Sequence, residues 1–532
     1  MPDPFVNLQV LDYFVILLYL GGTMLIGYWV SKSIHSSSDF FLAGRSLPWW
    51  AVGFSLVATD IGGTDIVGLG GMAHAYGMAA ANFDWIGCIP AMLVAAFIFI
   101  PHFWRCGITT IPELLERRFD YRVRSAVSFS WFVFMACNLG VMLVAAARFM
   151  HGLADWNEYI TILIVATLVA IYTYSGGLAA VVYTDVLQGS IMIGGCLLIT
   201  LMGLWEFGGW QPLQEAVEQT LSQHNSLLPP SAQPRTPIPT HFDLILPVDS
   251  PSPFPWTAIL FGLTFVVSPS YWIGNQSIVQ RSLAAKSEYE AKAGYVWGAM
   301  LKNIIPLVIV VPGLMALVRF PDLAASDRDH ALSKLISLSF GTGVRGIFVA
   351  AFLAALMSSV DSYLNSATTL FAHDFYKRFW RPETDERQLL RVGRVMTVAL
   401  TLWGIVFSML LLQVDAGVYT IFQTLMAFIQ GPAFAVLLVG LVSRRAVAGA
   451  ALVGFLSGVM TTIVLFLLNQ QWFCTAVGTT RLFQRDDPSL YFSLWAFLVA
   501  ATVTITFSYG LRPEPEEKLK YVLTWRKTEG PV

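Results

Sequence analysis

The sequence predicts an all-α polytopic membrane protein of about thirteen transmembrane helices. Three observations carry that expectation. Hydrophobic residues make up 56% of the 532-residue chain and charged residues only 12%, where a soluble domain carries about a quarter. The apolar residues gather in runs of roughly the 20 residues that a helix needs to cross a hydrocarbon core about 30 Å thick. These runs also lack the ten-residue alternation of a membrane barrel, which argues against strands. Net charge is only −2, so nothing points to a nucleic-acid partner. Cys88, Cys106, Cys137, Cys196 and Cys474 are scattered, with no CxxC pair, so neither a disulfide framework nor a zinc site is indicated. No basic residue precedes Lys32, and Asp3 and Asp12 come first. That is the wrong charge for a cleaved signal peptide, so the first run reads as a retained span.

The thirteen runs centre near residues 20, 60, 92, 138, 166, 192, 264, 308, 355, 403, 430, 457 and 500, two of them interrupted by Gly and Pro. Their orientation follows from Lys and Arg, which favour the cytoplasmic side. With the N-terminus outside, the inward connections collect Arg117, Arg118, Arg122 and Arg124, then Arg281, Lys286 and Lys292. The next one adds Lys377, Arg378, Arg381, Arg387, Arg391 and Arg394. The outward connections hold only Arg235, Arg319, Arg328, Lys334, Arg345, Arg481 and Arg485. The expectation is therefore a multi-pass protein of the plasma membrane, N-terminus out and C-terminus in. Its longest outward connection, rich in Pro, Ser and Gln (LPPSAQPRTPIPTHF), reads as loop or short helices. The polar, basic tail suits the lipid surface of the bilayer.

Several spans carry ionisable groups, which cost several kcal/mol in hydrocarbon and persist where they face a cavity or a partner. The second span reads VATDIGGTDIVGLGG, with Asp60 and Asp65; the third begins with Asp84. Asp185 lies in the sixth, Lys302 in the eighth, and the ninth reads AALMSSVDSYLNSATTLF. There Ser358, Asp361, Ser362 and Asn365 share one helical face. Hydroxyls and carbonyls with one carboxylate offer a hard cation several oxygens without excessive affinity. A single serine there would more simply bond its own helix; SS-x-D-S within one turn is the stronger signal. Gly62, Gly63, Gly68, Gly70 and Gly71 are able to unwind the second span, and SPSYWIGNQS the seventh. Irregular backbone at membrane depth belongs where it lines a cavity or is buried in protein. Two broken spans five spans apart point to inverted repeats around a binding site, and so to a secondary transporter. Gly at tight helix crossings is the plainer alternative, but packing needs no aspartates. No HExxH pattern or nucleophile beside a histidine appears, so no enzyme is expected, and no attached domain suggests a sensor.

The stretches TYSGGLAAVVYTDVLQGSIM (173–192), NQSIVQRSLAAK (275–286) and ALMSSVDSYLNSATTLFAHDFY (355–376) resemble the sodium/solute symporter family. They are closest to its sodium–glucose cotransporter branch, and GRSLPWWAVGFSLVATDIGG and TIPELLERRF also fit. The resemblance spans about residues 10 to 465. It implies the LeuT-type fold, with two inverted five-helix repeats at 41–206 and 256–442. An extra helix precedes them in 1–40, a loop at 207–255 separates them, two helices follow in 443–510, and 511–532 is the cytoplasmic tail.

The resemblance also implies a site for Na+, the coupling ion, from the carbonyls of Ala58, Ile61 and Ala355 and the hydroxyls of Ser358 and Ser359. Asp185 lies just behind it. Asp361, with Ser362 beside it, stands where some relatives have a second-site threonine, which leaves a second cation or a coupled proton open. On the solute side the resemblance implies Ser268, Tyr271 and Lys302. Tyr271 and Trp272 form the inner gate. Asp84 replaces a glutamate, Asp65 a His or Gln, and Asp60 an Asn; Gln423 lies close to a sugar-binding glutamine. No organic cofactor and no obligate protein partner is implied. A carboxylate-and-lysine lining suits a neutral sugar or polyol, since charged groups make the stronger bonds to hydroxyls. The extra aspartates keep an amine-bearing or other cationic metabolite open. The fourth span lacks a fixed cation at mid-depth, which argues against an anion.

Overall fold

A computed structural model describes residues 8–32, 36–227, 241–250, 252–323, 325–414, 417–483 and 487–523. Much of the Pro-rich outward connection, with Arg235, lies outside the described residues, as do Asp3, Arg485, Arg526 and Lys527. Among the described residues the ordered elements are helices, joined only by two isolated bridges, Leu47 with Ala285 and Leu246 with Pro255.

Among the described residues ten helices are long and apolar enough to cross a membrane, and two bent pairs each make a further span. In chain order they are α1 (Val10–Val30), the bent pair α2 (Trp49–Asp60) and α3 (Gly63–Ala81), α4 (Phe83–Cys106) and α5 (Tyr121–Ala154). The shorter α6 (Glu158–Ile171) leads to α7 (Gly177–Phe207), then the second bent pair, α8 (Ala258–Gly274) and α9 (Gln276–Leu283). The rest are α10 (Glu288–Arg319), α11 (Val344–Trp380), α12 (Glu386–Leu411), α13 (Val418–Val442), α14 (Ala448–Leu467) and α15 (Ser489–Gly510). Each predicted run falls on one of these spans. The fifth and sixth are joined without a loop: one helix, Glu158–Phe207, kinks at Gly177 (φ +53°). A Cβ there would lie 2.6 Å from the Phe40 carbonyl oxygen, so that position admits no side chain.

Burial explains the polar ninth span. The apolar window of α11 is 94% buried, against 22% for α1 and 28% for α12. A helix enclosed by protein on every side meets no lipid, so its serines and Asp361 need only protein partners. The outer helices face the hydrocarbon, and α1 is fixed to the centre by one carboxylate. Asp12 accepts from the backbone N–H of Gly343 at 2.7 Å and of Gly346 at 2.9 Å, at the amino end of α11. Helix amino ends leave such donors unpaired and favour negative charge.

The two bends, 57° between α2 and α3 and 50° between α8 and α9, expose backbone that must find partners. Each is capped locally. Asp65 accepts from Gly62 N at 2.9 Å, and Asn275 from Ser277 N at 3.0 Å. The unwinding is narrower than the glycine count predicts. It falls at Ile61 and Gly62, while Gly68, Gly70 and Gly71 lie inside the continuous α3. Their role is close packing: a Cβ on Gly68 would lie 2.5 Å from Tyr419 Cβ, and one on Gly71 2.8 Å from the Arg328 carbonyl oxygen.

Candidate cation and solute sites

The last turn of α2 meets the middle of α11. Ser358 Oγ donates to the Ala58 carbonyl at 2.5 Å and lies 3.1 Å from the Ala355 carbonyl. Ser359 Oγ donates to the Thr59 carbonyl at 3.0 Å, and the Thr59 and Ser362 hydroxyls are 2.9 Å apart. All these residues are buried. The arrangement is a knot of neutral oxygens, carbonyl and hydroxyl, of the kind a hard monovalent cation can share. Ala58, Ala355, Ser358 and Ser359 are therefore brought together. Ile61 sits at the break in extended backbone (φ −90°, ψ 92°), and Gly62 lies so close that a Cβ would be 2.8 Å from Ser359 Oγ. The Thr59 carbonyl joins the group without a side-chain signal in the sequence.

Beside this knot lies a buried ion pair. Asp185 Oδ2 accepts from Ser55 Oγ at 2.5 Å and from Arg281 Nη2 at 3.4 Å. Arg281 also donates to Ser55 Oγ at 2.6 Å, to Ser362 Oγ and to the Ser277 carbonyl. Both charged side chains are wholly buried. This corrects the placement of Arg281 in an inward connection: α9 continues past its break at depth and carries the guanidinium into the core. Its carboxylate partner is thereby neutralised, and the neutral oxygens of α2 and α11 are left for a cation. Asp361 Oδ1 accepts from Ser362 Oγ at 3.2 Å on the same face.

On the other side of the bend a cavity of about 60 Å³ opens, with room for only a few waters. All seven predicted solute residues, Asp60, Asp65, Asp84, Ser268, Tyr271, Lys302 and Gln423, line it, together with Trp272. Lys302, 2% exposed, pairs with Asp60 and, at 2.5 Å, with Asp84. The oxygens of Asp60 and Asp84 also lie near Cys88 Sγ, a grouping able to hold a metal ion, but the ammonium already serves as the cation between them. Asp84 lies on the π-helical turn Phe83–Cys88 and Tyr271 on another, Ser270–Gly274. The wider winding of such turns places side chains off the regular helical faces, a recurrent feature of functional sites. Tyr271 and Trp272 meet edge to face, ring centroids 5.7 Å apart, and the Tyr271 hydroxyl lies 3.5 Å from that of Tyr363. Gln423 donates to the Tyr419 hydroxyl at 2.9 Å. Gln430, one helix turn pair further along α13, also lines the cavity and has no marker in the sequence beyond its type.

Comparison with known proteins places the chain in a family. The profile of the sodium:solute symporter family matches residues 40–458. Sodium/glucose cotransporter 4 of Mus musculus is 31% identical over 549 residues, covering 99% of this chain and 79% of that protein. Sodium/myo-inositol cotransporter 2 of Sus scrofa is 32% identical, covering 99% and 80%. The sodium/glucose cotransporter of Vibrio parahaemolyticus is 31% identical over 477 residues, covering 85% and 84%. Among solved structures, the substrate-bound, outward-open state of a Na+-coupled sialic acid symporter superposes with a TM-score of 0.77. It covers 95% of this chain and 99% of that one at 22% identity. At that identity the likeness shows the fold, which is the LeuT type.

Proposed function

The chain belongs to the sodium:solute symporter family, and from that premise we propose that it imports a sugar or polyol down a sodium gradient by alternating access. The family consists of multi-pass membrane transporters, not enzymes, and sodium is its coupling ion. The relatives named above are cotransporters of glucose and of myo-inositol, which supports a polyhydroxylated solute here. One observation carries the reading. Ala58 and Thr59 turn their carbonyls to the serines of α11, while the next residue, Asp60, lines the solute cavity. Consecutive residues of one broken turn thus serve both sites.

In this reading the family's two repeats occupy 41–206 and 256–442. Sodium arriving from outside draws the Ala58, Thr59 and Ala355 carbonyls and the Ser358 and Ser359 hydroxyls together, and so fixes the end of α2 against α11. That sets the position of Asp60 and shapes the cavity. The solute then closes the outer side, and the inward opening separates α2 from α11 and loosens the sodium ligands. By linkage each ligand raises the affinity of the other by one common factor. The test is uptake into proteoliposomes. An inward sodium gradient should drive accumulation of a labelled sugar or inositol, and replacing sodium with choline should abolish it. Equal uptake in choline would overturn the reading.

A further inference from the structure

The cavity holds more carboxyl groups than its lining can balance. Asp60, Asp65 and Asp84 line it, and Lys302 is the one basic residue among its lining residues. Three carboxyl groups against one ammonium leave two with no basic partner of their own. Asp65 has partial relief: it accepts from Gly62 N at 2.9 Å at the amino end of α3, where a helix presents about half a positive charge. The other has none. Lys302 is already engaged by both Asp60 and Asp84, and the surrounding wall is apolar, with Leu69, Leu263, Val267, Ile305, Ile309 and Met426. Uncompensated charge in such surroundings is strongly disfavoured.

Hydrogen-bond capacity points the same way. The ammonium of Lys302 donates to carboxylates, and the carboxylates accept only. The Gln430 carboxamide is 1% exposed, and its Oε1 has no hydrogen-bond partner among the described residues. Trp272 Nε1, in the same wall, is a buried donor likewise without a partner among the described residues. A solute with both hydroxyls and an amine offers an acceptor to the indole and donors to the carboxylates and the carboxamide. An ammonium brings three donors and no acceptor. Among the acids the Asp60 side chain is 13% exposed and that of Asp84 only 6%, and Asp65 is half-buried. The open faces of the carboxylates belong to Asp60 and Asp65.

We propose that the solute carries a positive charge: the cavity takes an amine-bearing polyol, an amino sugar or amino cyclitol, with its ammonium on the Asp60–Asp65 side. This rests on the reading of the cavity as the solute site of a symporter. The test is binding to the full chain in lipid nanodiscs at saturating sodium. Glucosamine is compared with glucose and N-acetylglucosamine, an inosamine with myo-inositol, and cyclohexylamine serves as the amine without hydroxyls. The amine-bearing polyol should bind about tenfold or more tighter than its neutral parent, and N-acetylation should remove that gain. Asp65→Asn should shrink the preference towards parity, because the amide can still cap α3 but carries no charge. Asp60→Asn should do likewise and leaves the Lys302–Asp84 pair neutral. Neutral parents binding as tightly as the amines, with proton uptake in place of the missing charge, would overturn the inference and leave the polyol reading standing. Cyclohexylamine binding as tightly as glucosamine would instead overturn the polyol reading.

Discussion

Ser358 makes two contacts that respond differently to substitution. Its hydroxyl donates across to the Ala58 carbonyl at 2.5 Å and lies 3.1 Å from the carbonyl of Ala355 in its own helix. The second contact is ordinary helix back-bonding and would survive in any serine-bearing helix; the first exists only because α2 stops where it does. Replacing Ser358 and Ser359 with alanine removes two hydroxyl oxygens from the knot and leaves the carbonyls. The double variant should therefore need about tenfold more sodium or higher for half-maximal solute uptake, with solute binding partly recovered at high sodium; each factor of ten is about 1.4 kcal/mol. Sodium activation curves in proteoliposomes decide it, and an unchanged midpoint removes both serines from the ion site. Residues of this kind were legible in the sequence because each ionisable or polar side chain at membrane depth demands a partner. Asp60, Asp65, Asp84 and Lys302 of the solute lining were legible for the same reason, whereas Ser268, Tyr271 and Gln423 were marked only by the family resemblance. The Thr59 carbonyl was not legible, since every residue has one and only the geometry of the break selects it. Arg281 escaped because, read along the chain, it resembles any arginine beyond a span. Only the fold shows that α9 carries it into contact with Asp185 and Ser55.

At the scale of the element, the bend between α2 and α3 separates two uses of glycine that look alike in GGTDIVGLGG. Gly62 has extended backbone (φ −93°, ψ −179°) that any residue adopts, so an alanine there suffers no backbone strain. Its Cβ would instead stand 2.8 Å from Ser359 Oγ, closer than van der Waals contact allows. Gly62→Ala should push that hydroxyl aside and raise the sodium requirement several-fold while the protein still folds and expresses. Gly68→Ala should act differently, because its Cβ would fall 2.5 Å from Tyr419 Cβ and the obstacle is a helix stem, not a free hydroxyl. Overpacking of that kind costs about 1–3 kcal/mol and should lower the melting temperature. Purified variants compared by thermal unfolding and by sodium activation separate the two, and a Gly62→Ala protein with unaltered sodium dependence removes the packing argument. Sequence alone could place a break in this span but not locate it, because helix-breaking and helix-packing glycines share one composition. The same limit applies between α6 and α7, where the connection expected between two spans proves to be a kink at Gly177.

For the whole molecule, the distribution of charge argues a sidedness. Arg124 pairs with Asp374 at 2.5 Å and with Glu116 at 2.6 Å, and Arg378 with Glu116 at 2.7 Å. Arg105 pairs with Glu288 at 2.7 Å. These residues come from connections that the basic bias assigns to the cytoplasm. Arg148, near the outer end of α5, pairs with Asp329 at 2.7 Å, and Asp329, in a connection assigned to the outside, also accepts from Val418 N at 2.9 Å. Acidic partners do not cancel the bias, since orientation follows Lys and Arg and not net charge. Nor does the loss of Arg281 to the core, because Lys286, Lys292 and the run from Lys377 to Arg394 remain on that side. Two surface positions test the assignment. Glu218 is exposed on the helix Trp210–Leu227, and Arg387 is exposed near the start of α12. With the N-terminus outside, a cysteine at Glu218→Cys should react with an impermeant maleimide on intact cells. One at Arg387→Cys should react only after permeabilisation. The native cysteines are buried or half-buried, so the unsubstituted chain supplies the background. The reversed pattern would turn the protein over in the bilayer, while the sodium gradient would still set the direction of solute movement.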